Sequence, residues 1–150
     1  MARGPQIRLR ICVDVGDLEA AIRFYRQALG LKVAHRRSAG WVELSGASAP
    51  IDLLAKPSGS MPHPAAHVLR AYARHWTPVH LDFIVADVAA AVQRALSAGA
   101  TLESGPTTHD WGLMANLADP FGHGFCLIAL TGRAYDETVD IEENSTEAAI

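Results

Sequence analysis

Val15-Gly16-Asp17-Leu18-Glu19-Ala20-Ala21-Ile22-Arg23-Phe24-Tyr25-Arg26-Gln27-Ala28-Leu29-Gly30-Leu31 is the stretch on which the fold turns. Asp17 follows Gly16 and is a good helix N-cap, because its carboxylate can accept from the orphan amides of the first turn. Leu18, Ala21, Ile22, Tyr25, Ala28 and Leu29 recur at helical spacing, which predicts a helix with one apolar face. Gly30 stands where helices commonly end in the left-handed conformation.

On the N-terminal side, residues 7–15 alternate. Ile7, Leu9, Ile11, Val13 and Val15 share one face, and Arg8, Arg10, Cys12 and Asp14 share the other. This predicts a half-buried strand with a polar second face. On the C-terminal side, 31–36, 40–45 and 50–55 read as three short strands. Residues 56–75 break the pattern. Pro57, Pro62 and Pro64 mark a loop, since proline cannot donate a backbone hydrogen bond. Residues 65–74 are expected to form a short helix within this connector.

The opening pattern then returns. Val79 to Val85 predicts a strand, Asp87 a second N-cap, and Val88, Ala91, Val92, Ala95 and Leu96 a second helical stripe closed by Gly99. Placing Asp87 on Asp17 sets Val85 on Val15, Ala90 and Ala91 on Ala20 and Ala21, and Val92 on Ile22. Strands follow at 100–104, 112–118 and 124–130, with the turn Asp119-Pro120-Phe121-Gly122 before the last. Each half therefore reads β-α-β-β-β, and agreement over so many elements marks an internal repeat. The expected organisation is an N-terminal extension (1–6), a first module (7–56), a connector (57–76), a second module (77–131) and an acidic, solvated tail (132–150).

Composition narrows the function classes. The chain has 150 residues, 49% of them hydrophobic and 19% charged, with a formal net charge of −3. Those values suit one soluble globular domain. No cluster of Lys and Arg could track a phosphate backbone, so nucleic acid is not an expected partner. No apolar run approaches the roughly 20 residues that span a bilayer, and no apolar stretch follows Met1 to form a secretory signal. Membrane association is therefore not expected, and a cytoplasmic location is. Cys12 and Cys126 lie far apart in apolar runs and are read as reduced thiols.

The run 15–31 resembles the first-module signature of the glyoxalase/bleomycin-resistance/dioxygenase (vicinal oxygen chelate) superfamily, an Asp-capped helix ending in Phe-Tyr and then Leu-Gly. His80-Leu81-Asp82-Phe83-Ile84-Val85-Ala86-Asp87, Gly99-Ala100, Trp111-Gly112 and Asp119-Pro120-Phe121-Gly122-His123 resemble its second module. The likeness covers about residues 7–130. It implies an α+β fold in which two βαβββ modules form curved mixed sheets around a cleft, with helices outside. It also implies a homodimer and, in many members, one divalent metal held by four protein ligands from the first and last strands of the modules.

Carried onto this sequence, the first-strand ligand positions are Arg10 and His80, which stand at the same distance before the two capping aspartates. The last-strand positions are Asp52 and Cys126. Arginine is always cationic and cannot ligate a metal, so Arg10 opposes a dication at close range. It is expected to pair with Asp52 instead. A zinc site of His80, Asp52 and Cys126 is the alternative, since zinc accepts N, O and S donors. No cofactor is the favoured reading, and a divalent metal (Zn, Ni, Fe or Mn) is the other.

Each candidate has a plainer reading. His80 can be a hydrogen-bonded strand histidine, Asp82 its orienting partner, and Cys126 core filler. Asp119 can be turn chemistry, His123 a turn residue or a cleft residue, and Trp41, Trp76 and Trp111 can be core or rim. Taken together, Arg10, Asp52, His80 and Asp82, with Cys126 behind them and Trp111 at the mouth, predict a small-molecule pocket. His80 next to Asp82 could act as a general base. The leading expectation is a protein binding a small amphipathic or aromatic molecule. A metal-dependent lyase, isomerase or dioxygenase, or a metal-free acid–base catalyst, is the alternative. An interaction module without a ligand is the third.

Overall fold

The computed structural model describes residues 7–131; the extension at 1–6 and the acidic stretch at 132–150 lie outside the described residues. The repeat read from the sequence is present as two four-stranded mixed sheets, each with one helix. The first module comprises β1 (Ile11–Val15), α1 (Leu18–Leu29), β2 (Lys32–Ser38), β3 (Trp41–Ser45) and β4 (Ile51–Ala55). The second comprises β5 (Leu81–Ile84), α2 (Val88–Ser97), β6 (Thr101–His109), β7 (Gly112–Ala118) and β8 (Gly124–Leu130). The strand orders match: β1-β4-β3-β2 and β5-β8-β7-β6. In each, the first strand pairs parallel with the last, and the remaining pairs are antiparallel.

Both predicted caps form. The Asp17 carboxylate accepts from the Ala20 amide and that of Asp87 from the Ala90 amide, each at 2.9 Å. Gly30 takes φ 69° and donates its N–H to the Arg26 carbonyl at 3.0 Å, a conformation that glycine adopts without the Cβ penalty. The second helix ends one residue earlier than read, at Ala98 in the right-handed conformation.

Strand alternation divides each sheet into two faces. Val42, Leu44, Ile51 and Leu53 of the first sheet and Ala115, Leu117, Phe125 and Leu127 of the second are buried on the helix side. Burying one such Leu or Phe contributes roughly 1.5–3 kcal/mol. The two cores are continuous. Phe24 of α1 meets Phe121 and Phe125 of the second module edge-on, at ring separations of 6.0 and 6.3 Å. Tyr25 donates its hydroxyl to the buried Asp119 carboxylate at 2.7 Å.

Three expectations need correction. The first strand begins at Ile11 rather than at residue 7, and Ile7 and Leu9 are exposed. Residues 65–74 form no helix. Gly59 donates to the Arg70 carbonyl and Arg70 to the Ser60 carbonyl, at 2.8 and 2.9 Å. So short a segment is a marginal helix alone, and these cross-links hold its end extended. The strand expected to stop at 104 runs on to His109. Pro106 is tolerated because β6 is an edge strand, where the missing N–H need not meet a neighbour, and the register shifts between Ser104 and Thr107.

Candidate functional site

The face of each sheet opposite its helix carries the polar residues. In the first module Arg10 precedes β1 and reaches across the sheet. Its Nε donates to Asp52 Oδ2 at 2.9 Å, and its Nη2 donates to Asp52 Oδ1 at 2.8 Å and to Glu43 Oε2 at 2.7 Å. Arg37 donates to the same Glu43 oxygen at 2.8 Å, and the Trp41 indole N–H to Asp52 Oδ1 at 2.8 Å. Asp52 is almost fully buried, at 1% exposure. The hydrogen bonds from Arg10 and then Arg37 hold the Glu43 carboxyl down at about 2. Glu43 faces Asp52 across β3 and β4, as strand alternation from Asp52 could have shown. It is the functional-face residue that sequence reasoning missed.

The second module repeats the geometry with different chemistry. Cys126 faces Asp82 on one side and Asn116 on the other, as Asp52 faces Cys12 and Glu43 in the first. His80 Nε2 stands 3.2 Å from Asp82 Oδ1, and the ligand atoms of His80, Asp82 and Cys126 all lie within 4.8 Å of one another. Asn116 Nδ2 donates to the Cys126 sulfur at 3.3 Å, and its Oδ1 accepts from the Ser104 hydroxyl at 3.0 Å. Burial first, and then the hydrogen bond and charge of Asp82, push the Cys126 thiol up to about 12. It is a neutral thiol at ordinary pH, not a nucleophile.

Between the modules lies a cavity of about 450 Å³, walled by β1, β5, the 75–79 segment and the 122–125 turn. Ile11, Val13, Val79, Leu81, Phe83 and Phe125 make its apolar walls, and Cys12, Asp14, Tyr25, His75, Thr77, His80 and His123 its polar points. That size and composition are those of small-molecule pockets. The connector is strapped down as one wall. Arg70 donates to Asp14 at 2.6 Å, Tyr72 to the Lys56 carbonyl at 2.7 Å, and Arg74 and Trp76 to Glu103 at 2.5–2.9 Å. The turn beneath it is glycine for steric reasons. A Cβ on Gly122, which has φ 94°, would stand 2.5 Å from the Tyr72 carbonyl oxygen, and one on Gly124 would stand 2.7 Å from the Trp76 ring.

A family model described as Glyoxalase-like domain matches residues 10–128. The chain belongs to the glyoxalase-like domain family. Solved structures share the fold. Hypothetical protein SA1046 from S. aureus aligns with TM-score 0.66 and 22% identity over 84% of this chain and 95% of that one. A glyoxalase-related enzyme from Fulvimarina pelagi gives 0.65 and 22% over 83% and 87%. TnmS3, an antibiotic binding protein from Streptomyces sp. CB03234, gives 0.60 and 23% over 87% and 100%. No curated protein matches the chain. Among the described residues, no helix is long and apolar enough to cross a membrane.

The four-ligand metal set implied by the resemblance does not fit this glyoxalase-like chain. At the first module, the Arg10 guanidinium takes up the carboxylates of Asp52 and Glu43. Asp52 stands outside the group formed by His80, Asp82 and Cys126. Of the expected site residues, His80 lines the cavity between the modules, while Arg10, Asp52, Asp82, Cys126 and Trp111 are not among its lining residues. Trp111 instead stacks on His109 in the β6–β7 hairpin, at 4.8 Å and 1°.

Proposed function

We propose that this glyoxalase-like protein binds a small amphipathic or aromatic molecule in the cleft between its modules, without the four-ligand metal site. The observation that carries the reading is the cavity of about 450 Å³ with largely apolar walls and His80 among its polar points. The pairing of Arg10 with Asp52 and Glu43 supports the absence of the usual metal. The fold is shared with an antibiotic binding protein, which is in keeping with sequestration of such a compound. We read the protein as a cytoplasmic homodimer, and sedimentation of the purified chain tests the dimer.

His80→Ala tests the ligand reading. The variant should keep the circular dichroism and melting behaviour of the parent and lose binding of an uncharged fluorescent aromatic probe such as N-phenyl-1-naphthylamine. Unchanged binding together with a large loss of stability would make His80 a structural residue.

A second reading, a metal-dependent lyase, isomerase or dioxygenase, is favoured by one observation: the His80, Asp82 and Cys126 trio. Their N, O and S donors are a set that zinc accepts. Without a metal, His80 oriented by Asp82 is the group that would act as a general base.

A further inference from the structure

The polar points of the cavity have a common hydrogen-bonding sense. His123 Nε2 lies 2.7 Å from the Asp14 carbonyl oxygen. A carbonyl only accepts, so Nε2 carries the proton and, in the neutral ring, Nδ1 is a bare acceptor. His75 Nδ1 lies 2.9 Å from the Ala73 carbonyl oxygen, which by the same logic leaves its Nε2 as the acceptor. His80 Nε2 faces the Asp82 carboxylate at 3.2 Å. Two lone pairs would repel there, so the proton sits on Nε2 and, in the neutral ring, Nδ1 is left as an acceptor. Three imidazoles on one cavity are therefore each anchored through the N–H, and each keeps its basic nitrogen for something else.

The remaining polar groups do not offset this bias. The Tyr25 hydroxyl is spent on Asp119 and the Thr77 hydroxyl on the Val79 carbonyl. Arg70, the cation beside Asp14, is already bound to it and to Ser60 and Met61. No guanidinium or ammonium is among the cavity's lining residues, so a carboxylate or phosphate would meet lone pairs and an acidic group. The walls between the imidazoles are Val79, Leu81, Phe83 and Phe125, a surface suited to the faces of a planar apolar body.

We infer that the cavity takes an uncharged aromatic molecule carrying at least two O–H donors, a polyphenol or hydroxylated polycyclic compound, whose hydroxyls donate to imidazole nitrogens of His80, His123 and His75. This rests on the ligand-binding reading above and narrows it to a chemical class. A methyl ether of the same molecule fills the same space but cannot donate. It leaves the acceptors unpaired, which is how a hydrogen-bonding site rejects a near-isostere.

Three naphthalenes of one size test the assignment: 2,7-dihydroxynaphthalene, its dimethyl ether, and 2-naphthoate. Each is titrated calorimetrically into the full chain and into His80→Phe and His123→Phe, with circular dichroism confirming that each variant is folded. His80→Phe is the safer probe, because His80 is exposed whereas His123 bridges the modules. The diol should bind the parent roughly tenfold or more tightly than the ether, and the naphthoate should bind more weakly than the diol. In His80→Phe the preference for diol over ether should shrink severalfold while the ether is unaffected or gains. Equal binding of diol and ether, or preference for the naphthoate, overturns the donor assignment and leaves the cavity a binding site. Absence of binding by all three at millimolar concentration overturns the cavity itself, and this inference with it.

Discussion

Tyr25→Phe removes one oxygen from the protein and tests how the two halves are joined. The Tyr25 hydroxyl is buried and donates to Asp119 Oδ2 at 2.7 Å, and Asp119 Oδ1 accepts the amides of Phe121 and His123 at 2.8 Å each. One carboxylate thus organises the last turn of the second module and holds the helix of the first. Burial, followed by the Asp119 charge and hydrogen bond, pushes the tyrosine well above its usual range, so it is a donor throughout the working pH range. A hydrogen bond to a charged acceptor contributes about 1.5–3 kcal/mol. The substitution leaves the ring and its edge-on contact with Phe24 at 5.1 Å in place, so little packing is lost. Tyr25→Phe should therefore destabilise the protein by about 2 kcal/mol, lowering Tm by roughly 4–8 °C for a chain of this size. Urea denaturation with an unchanged slope is the assay. Asp119→Ala should cost more, because it also strips two amides of their acceptor. In that background, Tyr25→Phe should cost less than about 0.5 kcal/mol. A cost that small in the parent protein, or an equal cost in both backgrounds, would refute the view that this bond ties the modules together.

Four further outcomes follow from the same structure. With Cys12 exposed and Cys126 buried as a thiol at about 12, a thiol reagent at pH 8 should label one cysteine in the folded protein and two after unfolding. The unfolded thiol ionises near its ordinary value of about 8.5, so its raised folded value gives a contribution that is full below that pH. This contribution falls as pH rises toward 12, and Cys126→Ala should flatten that part of the slope. Glu43 runs the other way: held at about 2 by Arg10 and Arg37, it contributes fully above its unfolded value of about 4.3 and loses that contribution as pH falls toward 2. Glu43→Gln should reduce the acid sensitivity of the urea midpoint over that window. Gly124→Ala sets a Cβ against Arg74 and Trp76, so it should displace the strap, shift tryptophan emission to the red and weaken ligand binding severalfold, while the helical circular dichroism is retained.

The fold was legible because it is written twice. The two capping aspartates, their apolar helical stripes and the strand alternation all agree, and the positions of Arg10 with Asp52 and of His80 with Cys126 follow from counting along strands. Glu43 was missed, although the same counting places it between Val42 and Leu44 on β3, on the polar face with Asp52. The cavity was not. It is built from the contact between modules and from the 75–79 segment, whose path depends on long-range bonds such as Arg70 to Asp14 and Arg74 to Glu103. Periodicity carries no information about such bonds. His123 shows the limit most clearly: between two glycines it reads as a turn or a cleft residue, and nothing along the chain shows that its ring reaches the Asp14 carbonyl of the other module.

Calorimetric titration of the purified, chelator-treated protein with Zn(II), Ni(II) and Mn(II) tests the central claim most directly. If the Arg10 guanidinium has taken up the Asp52 and Glu43 carboxylates in place of a metal, none of the three ions should bind stoichiometrically at micromolar concentration. One equivalent bound at that concentration by the parent, and lost in both His80→Ala and Cys126→Ala, would contradict the account and make the second module a metal centre.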